Sequence, residues 1–194
     1  MIIDEIRLHG MGGQGVVAAG ELLAIAASYE DKFCRAFPMY GSARRGAPVQ
    51  AFAQMGDVAE ATRSMIYYPR YLLILDPSMP ETMDLTGGLR EDGVILYNTP
   101  KSLDEAIRFF KSKISKLGVV DATGIADKVL GRPIPNTTML GALSRVTGLL
   151  DLESVNWAIE KRFNDQLAQV NIEAAKAGYD SVDTLTFESE GLEC

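Results

Sequence analysis

The feature that most constrains this chain is its opening. A short apolar-biased stretch from Ile2 to Leu8 runs into Gly10-Met11-Gly12-Gly13-Gln14-Gly15, and an almost wholly apolar run from Val16 to Ala27 follows. That order reads as strand, glycine turn and buried helix. Gly10, Gly12 and Gly15 have the Gly-x-Gly-x-x-Gly spacing of a dinucleotide-binding turn. Glycine there lets backbone amides approach a phosphate, and the helix N-terminus favours its negative charge. The same turn also serves as a tight strand-to-helix connection that binds nothing, and spacing alone leaves both readings open.

The rest of the chain repeats the strand-then-helix theme. Phe33 to Phe37 reads as a second strand that enters a loop dense in Gly and Pro, Pro38-Met39-Tyr40-Gly41-Ser42-Ala43-Arg44-Arg45-Gly46-Ala47-Pro48. Val49 to Met55 reads as a half-buried strand. The continuous apolar runs Tyr71–Leu75 and Val94–Tyr97, ending in Asp76 and Asn98, fit strands covered on both faces. Ser102 and Glu105 form a capping box, and Leu103, Ala106, Ile107, Phe110, Ile114 and Leu117 then predict one amphipathic helix that Gly118 stops. Val119-Val120-Asp121 reads as a short strand. Helices are predicted over 137–149, 152–163 and 165–177, with Gly178 as a C-cap.

Alternating elements of this kind predict a three-layer α/β/α architecture with a mostly parallel, Rossmann-like sheet. At 194 residues with 47% hydrophobic and 23% charged residues, one core and a single domain over 1–188 are expected, with 189–194 as a flexible tail.

Charge and residue counts narrow the function classes. A formal net charge of −7 and no block of Lys and Arg argue against binding a nucleic-acid backbone. The acidic N-terminus and the lack of a long apolar run point to a cytoplasmic protein without membrane insertion. Two cysteines, Cys34 and Cys194, and the single His9 offer neither a disulfide framework nor a metal site, so no metal ligand is assigned. A Walker-type Gly-Lys-Ser/Thr, a Gly-x-Ser-x-Gly elbow and the Gly-Asp-Gly…Asn-Asn pattern for thiamine diphosphate are all missing.

Beyond the glycine turn, Arg44-Arg45-Gly46 places two guanidinium groups where they can clamp a carboxylate or phosphate, or face solvent or a subunit. Asp76 and Asn98 stand at predicted strand ends, where α/β sheets gather ligands but where turn and cap residues also occur. His9 has no partner at fixed spacing that would make it a base, and no catalytic residue is assigned. The acidic residue that reads a ribose in a dinucleotide fold is missing from its place, because Glu30 and Asp31 precede the second strand.

Two long motifs carry a family resemblance. Gly10-Met11-Gly12-Gly13-Gln14-Gly15 resembles the Gly-x-Gly-Gly-Gln-Gly opening of the gamma subunit of pyruvate and related 2-oxoacid:ferredoxin oxidoreductases. Phe37 to Pro48 resembles that family's Phe-Pro-x-(aromatic)-Gly-x-x-Arg-x-Gly-Ala-Pro segment. Asn136-Thr137-Thr138-Met139-Leu140-Gly141-Ala142 is similar to its Asn-x-x-Met-Leu-Gly-Ala helix start. The resemblance implies oxidative decarboxylation of a 2-oxoacid to its acyl-CoA. Pyruvate and an aryl 2-oxoacid such as phenylglyoxylate or indolepyruvate are both open. Thiamine diphosphate, Mg and [4Fe-4S] clusters would lie in alpha, beta and ferredoxin-like delta partners, with ferredoxin or another acceptor taking the electrons. This chain, inactive alone, would serve assembly and coenzyme A through Gly10, Gly12, Gly13, Gln14, Gly15, Arg44, Arg45 and Gly46. The competing readings are an independent NAD- or FAD-binding oxidoreductase and a purely architectural subunit.

Overall fold

The computed structural model describes residues 3–39, 47–56 and 65–187. Its strands, in chain order, are β1 (Ile3–Met11), β2 (Phe33–Met39), β3 (Pro48–Gly56), β4 (Tyr71–Ile74), β5 (Val94–Asn98), β6 (Lys116–Val120) and β7 (Asp183–Thr186). Across the single sheet they lie in the order β2-β3-β1-β4-β5-β6-β7. β1, β4, β5 and β6 form the parallel block. The apolar run that becomes β4 is buried along its whole length because helices and loops cover both faces.

The flanks are antiparallel, β3 against both β1 and β2, and β7 against β6. Residues 40–47 alone join β2 to β3, fewer than the dozen or so that a parallel crossover takes, so the two strands close as a hairpin. The sheet is therefore mixed, parallel at its centre and antiparallel at its edges. The second strand in sequence lies outermost, and the third sits beside β1.

The expected three-layer, single-domain α/β architecture holds, with unequal layers. On one face α1 (Val16–Tyr29), α4 (Ala122–Leu130), α5 (Asn136–Thr147), α6 (Leu152–Arg162) and α7 (Asp165–Ser181) pack over Ile6, Leu8, Leu73 and Leu96. On the other face α2 (Met79–Thr82), α3 (Leu103–Ala106) and loops cover Leu72, Ile74, Ile95 and Tyr97. Among the described residues, no helix is long and apolar enough to cross a membrane.

Three sequence expectations need correction. The long amphipathic helix predicted from Ser102 ends at Ala106, with a 3-10 turn at Ile107–Phe109 and extended backbone at Phe110. The capping box at Ser102 and Glu105 is present, and Phe110, Ile114 and Leu117 are buried as their spacing suggested. Burial comes instead from a loop and from β6, where Leu117 pairs with Ile95. Ser115 Oγ helps to turn the chain by donating to the Asp92 carbonyl at 2.9 Å. Two further elements escaped the sequence: α4, capped by Asp121 accepting from Gly124 N at 2.9 Å, and edge strand β7.

Gly178 is the third correction. It lies inside α7, where a Cβ would be driven into the Thr138 carbonyl oxygen of α5. Across the same contact, a Cβ on Gly141 would meet the Ala175 carbonyl oxygen. Glycine at both positions lets two helix backbones touch, which accounts for the Leu-Gly-Ala part of the third motif.

Glu30 has a structural task. Its carboxylate accepts from Asp151 N at 2.7 Å and from Ser154 Oγ at the start of α6, and pairs with Lys32 Nζ at 2.7 Å. Burial opposes its ionisation, yet these donors outweigh burial and hold its carboxyl below the ordinary glutamate value.

Candidate functional site

The C-terminal ends of the parallel strands bring the glycine turn, Asp76, Asn98 and Asp121 to one edge of the sheet. At the turn, Gly13 has φ +106° and Gly15 φ +79°, a left-handed backbone that glycine adopts without strain. Gly10 is needed for closeness, since a Cβ there would stand 2.6 Å from Val16 Cγ2 and 2.9 Å from Gln14 Oε1. Gly12 N donates to the Ala47 carbonyl at 3.0 Å.

Gln14 is the lock of the turn. Its Oε1 accepts from Met11 N at 2.7 Å, and its Nε2 donates to Asp76 Oδ2 at 2.7 Å. The other oxygen of Asp76 accepts from Ser78 N at 2.9 Å and Ser78 Oγ at 2.5 Å. The carboxylate is thus held by donors and ties the turn to the end of β4. Asn98 is likewise structural: Nδ2 donates to Leu75 O at 2.6 Å and Thr123 Oγ1 at 2.7 Å, and Oδ1 accepts from Thr123 N at 3.1 Å.

Helix α1 begins directly after Gly15 with no capping side chain and no acidic residue in its first turn. Its first backbone N–H groups have no intrahelical acceptors, and the helix dipole adds roughly half a positive charge at that end. Such an end can hold an anion. Asn136, the first residue of α5, packs against it: a Cβ on Gly15 would lie 2.5 Å from Asn136 Nδ2. No spacing rule could have joined residues so far apart in sequence.

Arg44, Arg45 and Gly46 lie outside the described residues. The strands that flank them lead to this edge, because Met39 pairs with Gln50, Pro48 pairs with Met11 and the Ala47 carbonyl accepts from Gly12 N. His9 is 3% exposed, and its Nδ1 is 3.4 Å from Gln50 Nε2. Burial, with a smaller push from Arg7, lowers its pKa to about 3, so it is neutral near pH 7 and cannot take or give a proton there. Burial pushes the Cys34 thiol up to about 12, which leaves it unreactive. Among the described residues, no group of three or more His, Cys, Asp or Glu could hold a metal ion.

The place beside β1 where a dinucleotide fold sets its second parallel strand is filled by antiparallel β3. The glycine turn therefore has no adjacent parallel strand end on that side to present a ribose-reading carboxylate.

Comparison with known proteins places this geometry. The family described as pyruvate ferredoxin/flavodoxin oxidoreductase matches residues 5–181. A pyruvate/ketoisovalerate oxidoreductases common subunit gamma from Thermococcus kodakarensis is 46% identical, over 95% of this chain and 98% of that protein. The crystal structure of pyruvate oxidoreductase subunit PORC from Thermotoga maritima superposes with a TM-score of 0.83 at 40% identity, covering 95% of this chain and 99% of that one. The fold also occurs in a 2-oxoglutarate:ferredoxin oxidoreductase from Magnetococcus marinus, solved with 2-oxoglutarate, coenzyme A and succinyl-CoA bound. There the TM-score is 0.71 at 15% identity, over 93% of this chain and 31% of that one.

Proposed function

The chain belongs to the pyruvate ferredoxin/flavodoxin oxidoreductase family as a gamma-type subunit, and on that premise we propose that its glycine turn holds the phosphate-rich end of coenzyme A in the assembled enzyme. The observation that carries this reading is the start of α1, uncapped and free of acidic side chains, behind a turn whose glycines leave the backbone open to a ligand. Gln14 supports it by fixing the turn, since its amide spans Met11 N and the Asp76 carboxylate and holds the glycine backbone in one shape. Arg44 and Arg45, in the loop that returns to Gly12 through Ala47, supply the paired hydrogen bonds that fix a phosphoryl group.

In this reading the assembled cytoplasmic enzyme oxidatively decarboxylates a 2-oxoacid, pyruvate or an aryl 2-oxoacid, to its acyl-CoA. Alpha and beta partners would hold thiamine diphosphate with Mg, the group that supplies the decarboxylation chemistry. The [4Fe-4S] clusters would lie in partner subunits, including the ferredoxin-like delta, and would supply the electron path to ferredoxin or another acceptor. The gamma chain's own residues perform no bond-breaking step. They bind and orient the thiol-bearing cofactor and bring the subunits together.

Replacing both arginines with alanine, Arg44→Ala with Arg45→Ala, is expected to raise the KM for coenzyme A of the assembled enzyme by about a hundredfold, two charge-assisted contacts being removed. The KM for the 2-oxoacid should stay as it was. An unchanged coenzyme A constant would remove the arginines from the site.

A further inference from the structure

We propose that the cleft between the open face of β1 and β3 and the segment 65–68 docks a partner subunit of the same enzyme, which sets an Asp or Glu side chain beside Arg7 and covers Tyr67 and Tyr68. The inference rests on the multi-subunit reading above and is independent of coenzyme A.

Arg7 stands opposite Phe52, and His9 opposite Gln50, in the β1–β3 pair, so these side chains share one face of the sheet. Helix α1 packs on the other face of β2 and β3, where Gly20 lies over Ala36 and Ala51. On the Arg7 face a cleft of about 470 Å³ is lined by Arg7, Gln50, Phe52, Met65, Tyr67 and Tyr68, with Gly88 at its rim. Its walls are held in place. Arg7 Nη2 donates to the Leu85 carbonyl at 2.7 Å and to the Gly87 carbonyl at 2.9 Å. Gly88, at φ +78°, backs so closely on the Tyr67 carbonyl oxygen that a Cβ there would overlap it. Arg90 N donates to the Pro69 carbonyl at 3.1 Å, and Arg70 N to the Glu5 carbonyl at 3.0 Å. The tyrosines are thus presented on a fixed backbone, which lowers the ordering cost of binding.

Tyr67 and Tyr68 are 63% and 71% exposed, and Met65 beside them is 43% exposed. Tyr, Met and Arg are the residues enriched at the covered centres of subunit interfaces. A small molecule in the cleft would leave both rings largely in water, whereas a protein segment covers them.

Charge selects the occupant. Among the described residues that line the cleft, Arg7 is the one charged group, and its Nε is buried without a hydrogen-bond partner. Burial pulls the guanidinium below its ordinary value and Asp84 restores only part of this, so the positive charge is under-compensated in the free chain. A carboxylate supplies what is missing. Two copies of this chain set face to face here would bring Arg7 towards Arg7 with no carboxylate in either lining, which disfavours a second copy as occupant.

The test isolates the enzyme through a tag on this chain and titrates the chain against its partner subunits, identified by mass spectrometry. Tyr67→Ser with Tyr68→Ser is expected to raise the dissociation constant about a hundredfold, two aromatic anchors being removed. The full chain alone should keep its wild-type urea midpoint, because both side chains lie mostly in solvent. Arg7→Lys reports the carboxylate: in the assembled enzyme a carbodiimide joins an amine to a carboxylate that touches it, and a guanidinium does not react. The expected result is an amide link from position 7 to an Asp or Glu of a partner subunit, absent from wild type. Unchanged association of the tyrosine variant would overturn the docking surface. Weakened association with a link only to Asp84, or with none, would overturn the carboxylate contact. A link joining two copies of this chain would make the surface a contact between copies. Recovery of the wild-type chain without any partner would remove the multi-subunit reading itself, which no outcome with the variants can do.

Discussion

Gly141→Val is expected to cost the chain its folded state. A Cβ at Gly141 is directed at the Ala175 carbonyl oxygen, a backbone atom held in place by the hydrogen bonds of α7, so no rotamer change can relieve the overlap. The two helices would have to separate, and Gly178 against Thr138 on the same contact shows that the close approach involves both partners. Separation would expose or leave voids around Met139, Ala142, Ala174 and Ala175, all buried. Overpacking typically costs about 1–3 kcal/mol where side chains can adjust, and a fixed backbone obstacle puts this substitution at or above that range. With domain stabilities of about 5–15 kcal/mol, such a loss takes a large share of the whole. Urea unfolding followed by circular dichroism should show a large drop in midpoint or no folded baseline. Gly87→Ala serves as control, since a Cβ there meets nothing within 4 Å, and it should unfold much like the wild type.

The second large effect is expected from Gln14→Leu. Leucine fills a similar volume but abandons Met11 N and Asp76 Oδ2, each of which Gln14 binds at 2.7 Å. The buried carboxylate keeps Ser78 as a partner and loses its link to the turn. Leaving a part-buried donor and an anionic acceptor short of partners should cost about 1–3 kcal/mol. The turn itself should lose its fixed shape, so coenzyme A affinity of the assembled enzyme falls together with the urea midpoint. Gln14→Leu with wild-type stability would show that the turn is held by its glycines alone, and that the Gln of the motif has another purpose.

Those two residues show what was legible in the sequence. The strand, glycine turn and helix of the opening were readable because apolar runs and glycines lie next to one another in the chain. The parallel strands β4 and β5 were readable from continuous apolar runs. The partners of Gln14 and Gly15 were not, since Asp76 and Asn136 reach the turn only through the order of the sheet and the seating of α5. The same limit explains Glu30, whose position suggested a missing ribose contact and whose structural role is to hold the start of α6. The helix predicted through Leu117 failed for another reason: spacing reported burial correctly, but the chain leaves the helix after Ala106 and strand pairing with β5 takes Lys116 and Leu117 at its predicted end. The antiparallel β3 beside β1 was hidden because strand direction depends on the length of the connection, while the apolar pattern is the same either way.

The claim that the gamma chain itself holds the phosphate end of coenzyme A is tested most directly by amide hydrogen exchange on the assembled enzyme, with and without saturating coenzyme A. The first turn of α1 donates backbone N–H groups that the helix does not use, and a bound phosphoryl group would take them. Slowed exchange in the segment from Gly12 to Ala19 on adding coenzyme A, with pantetheine leaving it unchanged, is the predicted result. Protection confined to the partner subunits, with this segment exchanging as before, would contradict the account and leave the glycine turn as a purely architectural connection.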